Sequence, residues 1–525
     1  MPAQPAAQLS TQPPAQPKVL IVGAGMSGLL MAIRLTESGL TNFHIYDKAE
    51  ELGGTWRENT YPGIGCDVPS HYYTLPSEPN PSWSTRLPQG AEIQKYFLGI
   101  AEKHNLRTRI TFNKEVIDAH HNGQRWTVTF KDGGKETADF VVACCGLLHH
   151  PRYPNIPGLE TFDGPAFHSA RWDHTVPLEG KRVGVIGTGS TGAQIIASLA
   201  KQGIDLAVFQ RTPQWIFPLA DRRYSKAEQS LVRQIPGIAK YGRFFYRVVF
   251  ENMFAMAVIK PCWQRRLMSW ACRQNLKQVK DAELRAKLTP SYKPLCKRLV
   301  MSTEFYPAIQ RDNVALITDD IDHIEERGVV TKDGTLHEVD VLALATGFDA
   351  HAYFRPLRLT NAAGVTLEEA WEGGPYALRT VAVPGFPNFF FTLGPQSPIG
   401  NFSAISIAET QINYILKCIE LRHEGRVGTL EPTMEATNAF NAFVRKAMPE
   451  TIWVTGCQNW YMSKNGVPSA WPYSGARFRE ELSEPNLAEF QCTAALSDED
   501  NTVPFMRPNE AVLGPGEARG QAPAA

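Results

Sequence analysis

Lys18-Val19-Leu20-Ile21-Val22 runs directly into Gly23-Ala24-Gly25-Met26-Ser27-Gly28. The first segment is a short apolar run of the kind buried on both faces of a parallel sheet. A helical pattern follows from Leu29 to Ser38, and a second apolar run, Phe43-His44-Ile45-Tyr46, stops at Asp47. Strand, glycine turn, helix, strand and acid form the dinucleotide-binding fingerprint in the context it requires. Gly23 permits the tight turn, Gly25 lets a pyrophosphate reach the backbone, and Gly28 lets helix and strand pack closely. The helix N-terminus, with Ser27 in its first turn, offers free N–H groups to the phosphates. Asp47 is placed to accept hydrogen bonds from a ribose diol.

The unit recurs. Lys181-Arg182-Val183-Gly184-Val185-Ile186 reads as a strand, Gly187-Thr188-Gly189-Ser190-Thr191-Gly192 as the turn, and Ala193 to Lys201 as the helix. The next strand, Leu206 to Gln210, ends in Arg211. Asp47 and Arg211 each lie 19 residues past the third glycine of their loop. An acid there suits a free ribose diol, whereas a 2′-phosphate is repelled by an acid and attracted by arginine. The first unit is therefore expected to hold FAD and the second NADPH.

A further echo concerns Asp139 to Gly146 and Asp340 to Gly347, which match in spacing and read as buried strands ending in small residues. This suggests that the chain leaves the first domain after Gly146 and re-enters it near Asp340. The expected fold is α/β, with two Rossmann-like dinucleotide-binding domains, one inserted in the other. Residues 18–150 and 336–497 would form the FAD domain and 151–335 the NADPH domain. A helical, aromatic-rich insert over 221–288 would cover the site, and residues 1–17 and 498–525 read as tails.

Composition narrows the function. Lys plus Arg and Asp plus Glu both number 53, so no basic excess exists to neutralise a nucleic-acid backbone. No clustered ligand pattern suggests a metal. Nine cysteines are dispersed with no C-x-x-C pair, which reads as reduced thiols in a cytoplasmic protein. No apolar run is long enough to span a membrane. Phe244 to Ile259, interrupted by Arg247, Glu251 and Asn252, reads as a buried helix, with a membrane-touching surface as the less favoured alternative.

Two nucleotide units fit several flavoenzymes, and three further segments narrow the choice. Phe162-Asp163-Gly164 through His168 to Trp172-Asp173 resembles the F-x-G-x-x-x-H-x-x-x-W motif of type I Baeyer–Villiger monooxygenases. Gly53-Gly54-Thr55-Trp56 through Tyr61-Pro62-Gly63 to Asp67 resembles that family's G-G-x-W motif. Lys297-Arg298, followed by Phe305-Tyr306 and Arg311 to Val314, resembles its arginine-bearing segment. The resemblance spans about Lys18 to Glu489. One departure is Leu299, where many members have proline.

The resemblance implies an enzyme that uses FAD, NADPH and O2 to turn a ketone into an ester or lactone through a C4a-peroxyflavin. Such a peroxide must stay anionic to attack a carbonyl, so a permanent positive charge is needed beside it, and arginine cannot lose its proton. By resemblance that residue is Arg298, held by Asp67, which also shapes the nicotinamide site. Trp56 and Tyr73 would line the flavin, and Gly54, Thr55 and Val116 complete the FAD contacts. Lys297, with Arg211 and Thr212, would read the 2′-phosphate. Trp460 would pack on, or hydrogen-bond, the nicotinamide-side ribose. His168 reads as structural or as a hinge, not as a base. The rivals are an N- or S-oxygenating enzyme, which needs no such arginine, and a nucleotide-binding protein without catalysis.

Overall fold

The computed structural model describes residues 16–398, 402–457, 459, 461–462, 466 and 468–494. Of the expected terminal stretches only Gln16 and Pro17 are among these, and residues 495–497 of the second FAD segment and Trp460 also fall outside them.

Two five-stranded sheets carry the glycine loops, and they are built alike. In the first, Val19–Val22 is central, flanked in parallel by Phe43–Tyr46 and Phe140–Ala143. In the second, Arg182–Ile186 is central, flanked in parallel by Asp205–Phe209 and Val341–Leu344. All four residues of Val19–Val22, Phe43–Tyr46, Phe140–Ala143 and Val341–Leu344 are buried, as continuous apolar runs require. Ile110–Thr111 and Phe389–Phe391 complete the first sheet. Val314–Ile317 and Ala166–His168 complete the second.

The Asp139 and Asp340 echo is a true repeat, but the chain does not re-enter the first sheet at Asp340. Val341–Leu344 belongs to the second sheet, and the first is closed instead by Phe389–Phe391. The aspartates show why. Asp139 Oδ2 accepts the backbone N–H of Lys18 at 2.7 Å, and Asp340 Oδ2 accepts that of Arg182 at 2.8 Å. Each acid clamps the start of its own unit's central strand, so the second strand of the echo stays with the second unit.

Helices Lys226–Gln234, Pro236–Val249, Met256–Ile259, Trp263–Leu276 and Ala282–Lys287 fill the insert. A π-helical turn over Phe250–Ala255 interrupts the long helix. The insert is held by Glu251, which accepts from both terminal nitrogens of Arg479 at 2.6 and 3.0 Å, and by Arg243 on Glu409 at 2.6 Å. The reading of Phe244 to Ile259 as a buried helix holds for its second half only. Phe250, Val258 and Ile259 are buried, but Phe244 and Phe245 are 53% and 48% exposed. Hydrophobicity in sequence does not say which side of a helix has a neighbour.

No helix among the described residues is long and apolar enough to cross a membrane, and no group of three or more of their His, Cys, Asp and Glu residues is placed to hold a metal ion.

Candidate active site

The glycine loops place backbone where side chains cannot go. Gly23 and Gly187 take φ values of +103° and +108°, a region that favours glycine. A Cβ on Gly28 would lie 1.9 Å from the Gly23 carbonyl oxygen, and one on Gly192 would lie 2.1 Å from that of Gly187. Gly25 and Gly189 cap the two following helices with no side-chain hydrogen bond, so the helix N–H groups are left for a ligand.

Both helix starts open on one large cleft. Gly23, Gly25, Ser27, Asp47, Gly54, Thr55, Trp56, Asp67, Tyr73 and Val116 line it, and from the second unit so do Gly189, Ser190 and Thr191. Gly28, Gly187, Thr188 and Gly192 shape the turns and are not among its lining residues. Asp47 is fixed by its own loop, accepting the N–H groups of Ala24 at 2.7 Å and Ala49 at 2.9 Å. Trp56 donates its indole N–H to the Tyr73 hydroxyl at 3.0 Å, with the rings edge to face. Uncapped helix starts, an anchored acid at the far strand end and an aromatic wall fit FAD in the first unit.

In the second unit the strand end is basic and unsatisfied. Arg211 is exposed. Lys297 stands near enough that the Arg211 charge, after burial, helps hold its ammonium below the ordinary lysine range. Among the described residues neither is in an ion pair; Lys297 lies 4.9 Å from the centre of the Tyr292 ring. Two neighbouring cations without a counter-ion fit a bound phosphate. Thr212 follows directly and is half-buried.

Where the units meet, Arg298 Nη2 donates to both carboxylate oxygens of Asp67, at 2.9 and 2.7 Å. Asp67 is the main reason that the guanidinium is held above the ordinary arginine range. Tyr461 is buried beside the pair, and the Arg298 charge opposes the rise that burial gives its phenol pKa. Arg298 keeps 33% of its side-chain surface open. Arg298 and Asp67 line the large cleft and also a smaller pocket walled by Phe250, Phe254, Val258, Leu295, Phe402 and Trp453.

Tyr461 was not read from the sequence, and no spacing rule marks it. Tyr61, quoted only as part of a motif, donates to Gln194 Oε1 at 2.9 Å and so ties the first unit to the helix of the second. His168 is buried with both ring nitrogens used: Nδ1 accepts from Ala170 N at 3.1 Å and Nε2 donates to Gly347 O at 2.9 Å. Burial holds its pKa below the usual histidine value, which suits a neutral structural ring.

The reading of all nine cysteines as reduced thiols is corrected here. Cys296 and Cys457 form a disulfide, with Cα atoms 6.2 Å apart and a separation of 161 positions in sequence. The other seven are free. Tertiary proximity alone pairs the two, and cysteine spacing carries no trace of it.

A family model described as flavin-binding monooxygenase-like matches residues 16–358. An uncharacterised monooxygenase of Mycobacterium tuberculosis is 49% identical over 474 residues, which is 90% of this chain and 96% of that protein. A Baeyer–Villiger monooxygenase of Streptomyces coelicolor is 38% identical over 90% of this chain and 92% of its own. Among solved structures, OTEMO in complex with FAD and NADP is similar with a TM-score of 0.82, 26% identity, and 91% and 100% coverage of the two chains. Cyclohexanone monooxygenase from Rhodococcus bound to NADP+ is similar with a TM-score of 0.81, 27% identity, and 92% and 100% coverage.

Proposed function

The chain belongs to the flavin-binding monooxygenase-like family, and from that membership we propose that it converts an apolar ketone to an ester or lactone. It is an FAD- and NADPH-dependent Baeyer–Villiger monooxygenase. The balance is ketone, O2, NADPH and a proton giving ester, water and NADP+. Bound FAD, once reduced by NADPH, supplies the activation of oxygen.

The site residues proposed for each task follow from their positions. Gly25, Ser27, Asp47, Gly54, Thr55, Trp56, Tyr73 and Val116 hold FAD, while Gly189, Ser190, Thr191, Arg211, Thr212 and Lys297 hold NADPH. The apolar wall of Phe250, Phe254 and Val258 keeps water from the reacting centre and takes the carbon skeleton of the ketone. Arg298 presents a permanent cation where charge develops on the attacked carbonyl oxygen. Asp67 and Tyr461 orient that cation without being able to take its proton, since arginine does not deprotonate in proteins.

The observation that carries this reading is the Arg298–Asp67 clamp in the wall shared by the wide cleft and the apolar pocket. An N- or S-oxygenating enzyme has no use for it. Removing a donor aimed at developing negative charge costs about a hundredfold to a thousandfold in rate. Arg298→Ala is expected to keep FAD and some NADPH oxidation, but to lose ester yield per NADPH by that order, with hydrogen peroxide as the product. Arg298→Lys restores little, because an ammonium lacks the planar fork. Near-native ester yield in Arg298→Ala would sink the assignment.

A further inference from the structure

The helical insert has a second face that the reaction does not use. On Pro236–Val249, Tyr241, Phe244, Phe245 and Val248 are exposed at spacings of three and four residues, which is one side of a helix. On Trp263–Leu276, Trp263, Leu267 and Trp270 are exposed at the same spacing, the two tryptophans at 62% and 57%. The stripes adjoin: Asn252, one turn beyond Val248, accepts at its carbonyl from Gln264, the neighbour of Trp263, at 3.1 Å. Monomeric proteins rarely leave so many large apolar side chains together in water.

Charge on the same segment is one-sided. Between Pro236 and Lys280 stand nine Lys and Arg residues and one acid, Glu251, in a chain whose total charge is zero. That acid is already paired with Arg479. Lys240, Lys260, Arg266, Arg273 and Lys277 are exposed, and none is in an ion pair among the described residues. A second copy of the chain is a poor occupant, since a two-fold contact sets these cations against their own mates. Exposed tryptophan and phenylalanine on helices bordered by unpaired Lys and Arg match the chemistry of an anionic lipid surface, where rings sit among headgroups and cations meet phosphates.

We propose that the insert docks this enzyme peripherally on anionic membranes through the outer faces of Pro236–Val249 and Trp263–Leu276. The opposite side of the same segment carries Phe250, Phe254 and Val258 into the apolar pocket beside Arg298. Docking would therefore bring the pocket wall next to the phase in which apolar ketones accumulate. The docking claim stands on the surface alone and does not depend on the reaction proposed above.

The test is flotation of the FAD-loaded full chain with vesicles, read by flavin absorbance. One set is phosphatidylcholine alone, and the other equal parts phosphatidylcholine and phosphatidylglycerol. The native protein should float with the anionic set at low salt and be released at about 1 M salt, where the screening length is about 3 Å. Binding to phosphatidylcholine alone should be at least about tenfold weaker, because each surface cation contributes severalfold. Trp263→Gln with Trp270→Gln should cut binding to the anionic set about tenfold or more, with flavin content unchanged because both side chains face solvent. Arg266→Gln with Arg273→Gln should cut it similarly. A native protein that ignores anionic vesicles overturns the proposal and transfers the face to an acidic protein partner. Native-like binding by both double variants also overturns it, since the lipid contact would then lie elsewhere.

Discussion

The two nucleotide-binding units share a skeleton down to single hydrogen bonds and differ at one strand end. In each, an aspartate clamps the start of the central strand, and the first glycine's N–H donates to the end of the neighbouring strand, Gly23 to Tyr46 O and Gly187 to Phe209 O. The third glycine in each leaves no room for a Cβ. At the strand end the units part. Asp47 is 8% exposed and spends its carboxylate on Ala24 and Ala49, whereas Arg211 is exposed with no ion pair among the described residues. One terminus is built into its loop. The other waits for a ligand. We propose that the shared skeleton fixes where a pyrophosphate can lie and that the contrast between Asp47 and Arg211 at the strand end sets which nucleotide each unit accepts.

The largest expected effect separates glycines that the fold needs from glycines that the ligand needs. A side chain at Gly28 or Gly192 meets a backbone carbonyl at about 2 Å, so Gly28→Val and Gly192→Val should yield little folded protein. A Cβ at Gly25 meets only the Cα and N of Gly54, at 3.6 and 3.9 Å, and one at Gly189 meets nothing within 4 Å. Gly25→Val should therefore fold without flavin, and Gly189→Val should fold yellow but fail to be reduced by NADPH. Far-UV circular dichroism and flavin absorbance on the four variants decide this. Full flavin loading in Gly25→Val would mean that the first loop has been assigned the wrong ligand.

Next come the strand ends themselves. Each bond from a backbone N–H to the Asp47 carboxylate is charge-assisted, a class worth roughly 1.5–3 kcal/mol. Asp47→Ala should therefore lower the melting temperature and the flavin content together. Arg211→Ala should leave both unchanged. It should weaken NADPH by about tenfold to a hundredfold, one charged hydrogen bond at about 1.4 kcal/mol per decade, and leave NADH nearly as before. If Asp47→Ala loses flavin with no change in melting temperature, the contrast between a built-in acid and a waiting base is wrong.

How much of this was legible in sequence depends on whether the information is local. The glycine loops, Asp47, Arg211 and the Trp56 to Asp67 run could be read, because turn chemistry and strand–helix spacing are written over a few neighbouring residues. The sheet to which Val341–Leu344 belongs could not, since an apolar run says that a strand is buried without naming its partner. The same limit hid the Cys296–Cys457 pair, the bridge from Tyr61 to Gln194, and Tyr461 beside Arg298. Each joins segments more than a hundred residues apart. Exposure of Phe244 and Phe245 was missed for a related reason: the sequence shows apolar character, while the neighbour that would cover it is a matter of tertiary structure.

The smallest effect concerns the second cation of the NADPH end. Burial, and then the Arg211 charge beside it, hold the Lys297 ammonium below the ordinary lysine range. The protonated form is the one that attracts a 2′-phosphate, so raising the pH through this lowered value removes one of two cations. NADPH should then lose affinity while NADH, which has no 2′-phosphate to lose contact with, should not. A half-exposed charge contact is worth about 1 kcal/mol or less, which limits the change in the NADPH-to-NADH preference to severalfold. Lys297→Arg keeps its charge at every accessible pH and should flatten the profile, and Lys297→Gln should flatten it at the lower level. Arg211→Ala provides the sharper control. With the neighbouring cation gone, Lys297 should titrate closer to an ordinary lysine, and the fall in preference should move to higher pH. The measurement is the ratio of KM for the two nucleotides from pH 7 to 10. A fall at the same pH in Arg211→Ala as in the native enzyme would show that the two cations do not act on one phosphate.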